Sequence, residues 1–189
     1  MTQPLRILGI DPGLNTTGYG VIEVSPGKVS LIEAGVVRSK RKDLAGKIHE
    51  IYNGVREIIE TFHPAEMAVE ELYSHYERRT TSILMGHARG AIFLAADQAG
   101  MAVYSYAATK VKKLLTGAGH ADKDQIQRAI KLEFRLDRTP EPPDVADALA
   151  IALCHHYHGR ITQMNASKPN SPIDVLGLDQ HLPGTPRRV

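Results

Sequence analysis

Four acidic residues stand where an α/β enzyme places its chemistry. Asp11 closes the apolar run LRILGI at residues 5–10, Glu70 follows Met67-Ala68-Val69, and Asp144 and Asp147 open the last helical pattern. Ligands of open sheets gather at the carboxyl ends of the strands. Asp144 and Asp147 are three residues apart, so on a helix both leave one face about a turn from each other and reach a single ion. Several carboxylates at the edge of an apolar core cost free energy through desolvation and repulsion, unless some are protonated or a cation neutralises them. Oxygen-only ligands favour magnesium or manganese over zinc. Two such ions about 3.5–4 Å apart would activate water and stabilise the leaving oxygen of an in-line displacement at phosphorus, without a serine, cysteine or histidine base. Each acid alone has an ordinary alternative: Asp11-Pro12-Gly13 as a plain turn, Glu70 as a solvated strand end with Glu71 as its competitor, and Asp144 as a helix-start acid favoured by the macrodipole. Asp147, one turn into an otherwise apolar helix, is the hardest to dismiss.

Those acids need a sheet and helices to hold them. Residues 5–10, 19–24 and 29–37 read as three consecutive strands, the last two joined by Ser25-Pro26-Gly27-Lys28 as an antiparallel pair. Leu44, Ile48, Ile51, Val55, Ile58 and Phe62 recur at helical spacing until His63-Pro64 stops them. A short strand at residues 67–69, a polar stretch from Ser74 to Ser82, and a helix with small residues at Gly86, Ala88, Gly90, Ala91, Ala95 and Ala99 follow. Close approach by another backbone is the expected result for that small-sided helix. Residues 102–106 predict a fifth strand, residues 110–115 a basic helical turn, and Asp122 with Gln125 a capping box opening a helix to about Phe134. Three prolines make residues 136–143 a loop. The last helix runs from Asp144 to about Tyr157. The order predicts an α/β domain with helices packed on a mixed sheet over residues 1–160, and a mobile tail over 161–189. The pattern contains no internal repeat.

The chain has 189 residues, 23% charged and 42% hydrophobic, which excludes disordered, collagenous and disulfide-framework classes. A single cysteine, Cys154, cannot form an internal disulfide. No apolar run reaches the ~18 residues of a membrane span, and the N-terminus lacks the pattern of a signal peptide. The expectation is a soluble, uncleaved, cytoplasmic protein with no membrane partner. Net charge is only +2, but residues 110–138 carry eight basic side chains against four acidic ones. Phosphate contacts supply most non-specific affinity for nucleic acid, so basic groups are expected around the carboxylates. Lys113, Arg128, Lys131, Arg135 and Arg138, and the run RSKRK at residues 38–42, fit solvated surfaces. In Tyr73-Ser74-His75-Tyr76-Glu77-Arg78-Arg79, aromatics alternate with basic groups, which suits stacking on an unpaired base while Arg78 and Arg79 hold phosphates. His155, His156 and His158 beside Cys154 lack the paired spacing of a structural zinc site.

GIDPG (9–13), TGYG (17–20), AVEELY (68–73), ARG (88–90) and PPDVADALAIA (142–152) resemble, in order and spacing, the RuvC family of Holliday-junction resolvases, over residues 5–157. The resemblance implies an RNase H-like fold with a mixed five-stranded sheet and helices on both faces. It implies a homodimer that resolves four-way junction DNA by paired symmetric nicks in recombination and repair, leaving 5′-phosphate and 3′-hydroxyl ends, with RuvA and RuvB as branch-migration partners. It assigns Asp11, Glu70, Asp144 and Asp147 as catalytic acids and ligands of two Mg²⁺ ions, with Mn²⁺ as a substitute. Some members carry histidine in place of the acid at Asp144. It makes Tyr73 the aromatic contact to bases near the exchange point, and Lys112 and Lys123 basic positions facing DNA.

Three rivals remain at this point. A phosphotransferase or ATPase of the sugar-kinase and actin type shares the strand-Asp-x-Gly opening but needs a second lobe. A nuclease of the YqgF type would act on RNA precursors with the same fold. A non-catalytic junction-binding module would not need its acids.

Overall fold

The computed structural model describes residues 4–72 and 79–165, with side chains over 4–72 and 80–159. Strands β1 (Leu5–Asp11), β2 (Thr16–Ser25) and β3 (Lys28–Arg38) lead into helix α1 (Leu44–Phe62), then β4 (Glu66–Glu70), α2 (Arg79–Gln98), β5 (Ala102–Tyr106), α3 (Ala108–Thr116), α4 (Lys123–Glu133) and α5 (Pro143–Asn165). The sheet runs β3-β2-β1-β4-β5. β1 pairs antiparallel with β2, and β2 with β3, while β4 lies parallel to β1 and β5 parallel to β4. This is the mixed sheet that the element order predicts, with the five strands and helices on both faces that the resemblance implies.

Alternation along β1 assigns the faces. Leu8 and Ile10 point into a core shared with α1 and α2, through Ile51, Val55, Ala88 and Ile92. Ile7 points the other way, into a core built on α5 with Val111, Ile126 and Ile130 from α3 and α4. α5 is apolar on nearly every side, since it is covered by the sheet below and by α3 and α4 above. Val145, Ala146 and every residue from 148 to 154 are buried.

Local chemistry starts and stops the helices as the sequence predicts. The Asp43 side chain accepts from the Gly46 amide at the start of α1, and His63 adopts a left-handed conformation at its end. Asp122 and Gln125 form a reciprocal capping box on α4. Two boundaries differ from expectation. α2 begins at Arg79, inside the polar stretch, and α5 continues past Tyr157 to Asn165. The small residues do not share a face: on α2, Ala88, Ala91 and Ala95 are buried and Gly86 and Gly90 exposed, and exposed Ala99 lies just beyond the helix. Among the described residues no helix is long and apolar enough to cross a membrane.

Candidate active site

The same alternation that buries Ile7 brings Asp11 out on the α5 side of the sheet, at the C-terminal end of β1. Ile10 is in register with Val69 on parallel β4, so the next residues, Asp11 and Glu70, leave adjacent strand ends. Glu70 shares its face with Ala68, which belongs to the α5 core, so it too points toward α5. The turn after Asp11 is held by Thr17, whose buried hydroxyl donates to the Gly13 carbonyl at 2.8 Å and accepts from the Gly13 amide at 3.3 Å. Asp144 lies in the first turn of α5 and Asp147 in the next, above the same strand ends.

Electrostatics show that the four acids share one field. Burial raises the Asp11 carboxyl to about 8, with Glu70, Asp147 and Asp144 adding to the shift and Lys123 opposing it. Glu70 is raised by burial and then by Asp147, and lowered by Lys112 and Lys123. Asp147 is raised by burial, lowered by Lys123 and Lys112, and raised by Asp144. Among the described residues no three His, Cys, Asp or Glu side chains close into a ready-made ligand cage. The convergence is therefore one of charge and of position at the strand ends and the start of α5. An all-oxygen donor set under mutual repulsion fits a hard divalent cation, which would remove the cost of ionising Asp11.

Register separates Glu70 from its neighbour. Glu71 is exposed, its amide bonds to the Tyr106 carbonyl at 2.9 Å, and its charge acts on Arg89 of α2. Lys112 on α3 and Lys123 at the start of α4 are the two cations felt by the acids. Lys113, Arg128, Arg135 and Arg138 are exposed and Lys131 is half-buried. Tyr73 and Arg78 lie outside the described residues. Arg79 opens α2, and its backbone is helical.

Sequence reasoning missed one polar network. His155 is buried and bridges two strands: its Nε2 lies 2.8 Å from a Glu66 carboxylate oxygen and its Nδ1 2.7 Å from the Tyr106 hydroxyl. A neutral ring that donates to Glu66 and accepts from Tyr106 satisfies both contacts. The histidine ties α5 to β4 and β5. Its only sequence signal was an imidazole inside an apolar helix.

Three comparisons bear on this geometry. The sequence profile described as "Crossover junction endodeoxyribonuclease RuvC" matches residues 7–155. A protein of that name from Rhodopirellula baltica is 54% identical over 169 residues, 89% of each chain. Another, from Caldanaerobacter subterraneus subsp. tengcongensis, is 41% identical over 160 residues, 84% of this chain and 96% of its own. Among solved structures, Thermus thermophilus RuvC in complex with Holliday junction substrate superposes with a TM-score of 0.77 at 34% identity, covering 83% of this chain and 96% of that one. Strand order, acid positions and this extent of likeness lead to one assignment: the chain belongs to the RuvC family of crossover junction endodeoxyribonucleases.

Proposed function

We propose that this chain resolves four-way DNA junctions by metal-dependent hydrolysis at Asp11, Glu70, Asp144 and Asp147. The observation that carries the reading is the coupling of these acids, distant in sequence, into a single buried field at adjacent strand ends. The enzyme is a crossover junction endodeoxyribonuclease, a metal-dependent nuclease of recombination and repair. A relative of the same fold was solved on a Holliday junction, and the cations of Lys112 on α3 and Lys123 at the start of α4, felt by the acids, suit the same substrate here.

Two Mg²⁺ ions, or Mn²⁺ in their place, would supply Lewis-acid activation of water and charge neutralisation at the leaving oxygen. Asp11, between Glu70 on one side and Asp144 with Asp147 on the other, is suited to a shared ligand. Glu70 would orient the attacking water, while Asp144 and Asp147 hold the helix side of the site. Lys112 and Lys123 would hold the phosphates flanking the cut and offset the acids' charge. Tyr73, Arg78 and Arg79 would engage unpaired bases and their phosphates at the exchange point. Water's oxygen bonds to phosphorus as the P–O3′ bond breaks, leaving a 5′-phosphate and a 3′-hydroxyl that a ligase can join.

Paired cuts require two active centres, which a homodimer with two-fold symmetry provides for a junction of the same symmetry. The outer stripe of α2 suits that contact: Ile83 is 63% and Leu94 51% exposed, with exposed Gly86 and Gly90 between them at helical spacing. RuvA and RuvB are the partners expected to present the junction, in the cytoplasm.

The test is cleavage of a mobile four-way junction and of linear duplex, with and without Mg²⁺, read on a denaturing gel. The expected result is metal-dependent, symmetric nicking of the junction alone. Asp11→Asn removes a ligand worth several kcal/mol of transition-state charge stabilisation, a rate loss on the order of 10³-fold or more, while junction binding persists. Equal nicking of both substrates, or full activity of Asp11→Asn, would refute the proposal.

A further inference from the structure

Three glycines of the sheet, Gly9, Gly18 and Gly20, face α5. None has a positive φ, so what they provide is space and not conformational freedom. A Cβ on Gly20 would press mainly on the buried Leu149 side chain, 2.5 Å from its Cδ2 and 2.8 Å from its Cγ, with the Leu149 Cα at 3.3 Å. The other two meet backbone. A Cβ on Gly9 would stand 2.2 Å from the Ala148 carbonyl oxygen. On Gly18 it would stand 2.1 Å from the Asp144 carbonyl oxygen, 2.6 Å from the Asp144 carbonyl carbon and 3.1 Å from the Asp144 Cβ. A helical carbonyl cannot turn aside without moving its helix.

Gly18 is also the residue paired with Asp11 across β1 and β2. Residues directly opposite in an antiparallel ladder have their Cα atoms about 4.5–5.5 Å apart. One residue thus adjoins an acid on the sheet side and bears directly on the turn that carries two acids on the helix side.

We infer that Gly18 is a positioning residue of the active site: by having no side chain it sets how closely the α5 turn bearing Asp144 and Asp147 approaches Asp11, and thereby sets the site's affinity for divalent metal. The inference rests on the reading of the four acids as metal ligands. Contacts below 3.0 Å are essentially never made by a real Cβ, so an alanine at 18 drives the start of α5 outward by about 1 Å, given that packed interiors yield by shifts and not by compression. Asp144 and Asp147 stand about one turn apart at the start of the same helix, so a shift of that end carries both. Loss of a group that orients metal ligands costs about 10–100-fold in affinity.

The rival account is that Gly18 serves packing alone. Gly54 supplies the comparison, because a Cβ there would press on Val37 at 2.5 Å on the opposite face of the sheet, where a clash destabilises without touching the acids. Mn²⁺ titration calorimetry on the wild type, Gly18→Ala, Gly54→Ala and Asp147→Ala, with circular dichroism to establish folding, separates the accounts. Gly18→Ala is expected to weaken Mn²⁺ binding roughly 10–100-fold while metal-free junction binding is kept. Gly54→Ala is expected to lower Tm and leave Mn²⁺ affinity unchanged. A folded Gly18→Ala with wild-type Mn²⁺ affinity overturns the inference, as does equal weakening in Gly54→Ala. Where Gly18→Ala does not fold, Gly9→Ala, which presses the same helix one turn on, carries the same expectation and the same power to refute. If Asp147→Ala binds Mn²⁺ as the wild type does, the ligand reading itself fails. If Asp147→Ala loses Mn²⁺ and Gly18→Ala does not, only the role of Gly18 falls.

Discussion

At Asp11 a carboxyl group ends a buried strand with Glu70, Asp147 and Asp144 as neighbours, and its pKa rises to about 8 from the ordinary 3.8. Between those two values the folded chain holds a proton that the unfolded chain has released. Stability of the metal-free protein therefore falls as pH rises through this window, because the unfolded state binds fewer protons. Asp11→Asn removes that contribution. The expected outcome in chelator is a variant with a higher Tm than wild type at pH 8 and a smaller difference at pH 5, measured by thermal unfolding. Added Mn²⁺ should raise the wild-type Tm at pH 8 and the variant's much less. Lys112 and Lys123 belong to the same field with opposite sign. Each phosphate contact contributes about 0.9 to the slope of log affinity against log salt on duplex DNA. Lys112→Ala and Lys123→Ala should each flatten that slope for junction binding by about 1, as read by fluorescence anisotropy over a salt series. An unchanged slope would remove the lysine from the DNA surface.

Helix α5 carries both acids at its start and the polar tie of His155 further along. His155 locks it to β4 through Glu66 and to β5 through Tyr106, and Tyr106 in turn is the register partner of Glu70. Tyr106→Phe removes the hydroxyl and leaves a buried ring nitrogen without its donor, at a cost of about 1–3 kcal/mol, which urea unfolding would register as a lower midpoint with unchanged slope. The elements themselves are legible in the sequence, because the apolar run of β1, the helical spacing from Leu44 to Phe62 and the capping box at Asp122 are local signals. The acids were readable for a similar reason: each follows a strand or opens a helix. What escaped depends on distant pairing. Local pattern left Glu71 as a competitor of Glu70, which the family resemblance singled out and the register of β4 against β1 sets on the α5 face, and the tie between His155 and Glu66 spans 89 positions. The start of α2 at Arg79 runs against a polar composition with little helical patterning. The division of its small residues between an inner and an outer side becomes visible only once α1 and the sheet cover Ala88, Ala91 and Ala95.

The assembled molecule presents two different faces, with α5 and the acids on one side of the sheet and α1 with α2 on the other. The exposed α2 stripe of Ile83, Gly86, Gly90 and Leu94 lies on the side of the sheet away from the acids. An isologous dimer through this stripe would set like residues against one another, so a charge introduced on one subunit faces or adjoins its own copy. Such like-charge juxtaposition costs several kcal/mol across an interface, enough to weaken a dimer on the order of 10²-fold or more. Ile83→Glu combined with Leu94→Glu is therefore expected to sediment as a monomer, while its Mn²⁺ affinity stays at the wild-type value because the acids lie on the far side of the sheet. The consequence for resolution is specific. On a supercoiled plasmid carrying an extruded cruciform, two coordinated cuts release linear DNA, whereas one cut relaxes the cruciform and destroys the substrate before a second can follow. Wild type should give mainly linear product, and the double variant mainly nicked circles. A monomeric variant that still yields linear plasmid would show that pairing of the cuts does not depend on this surface.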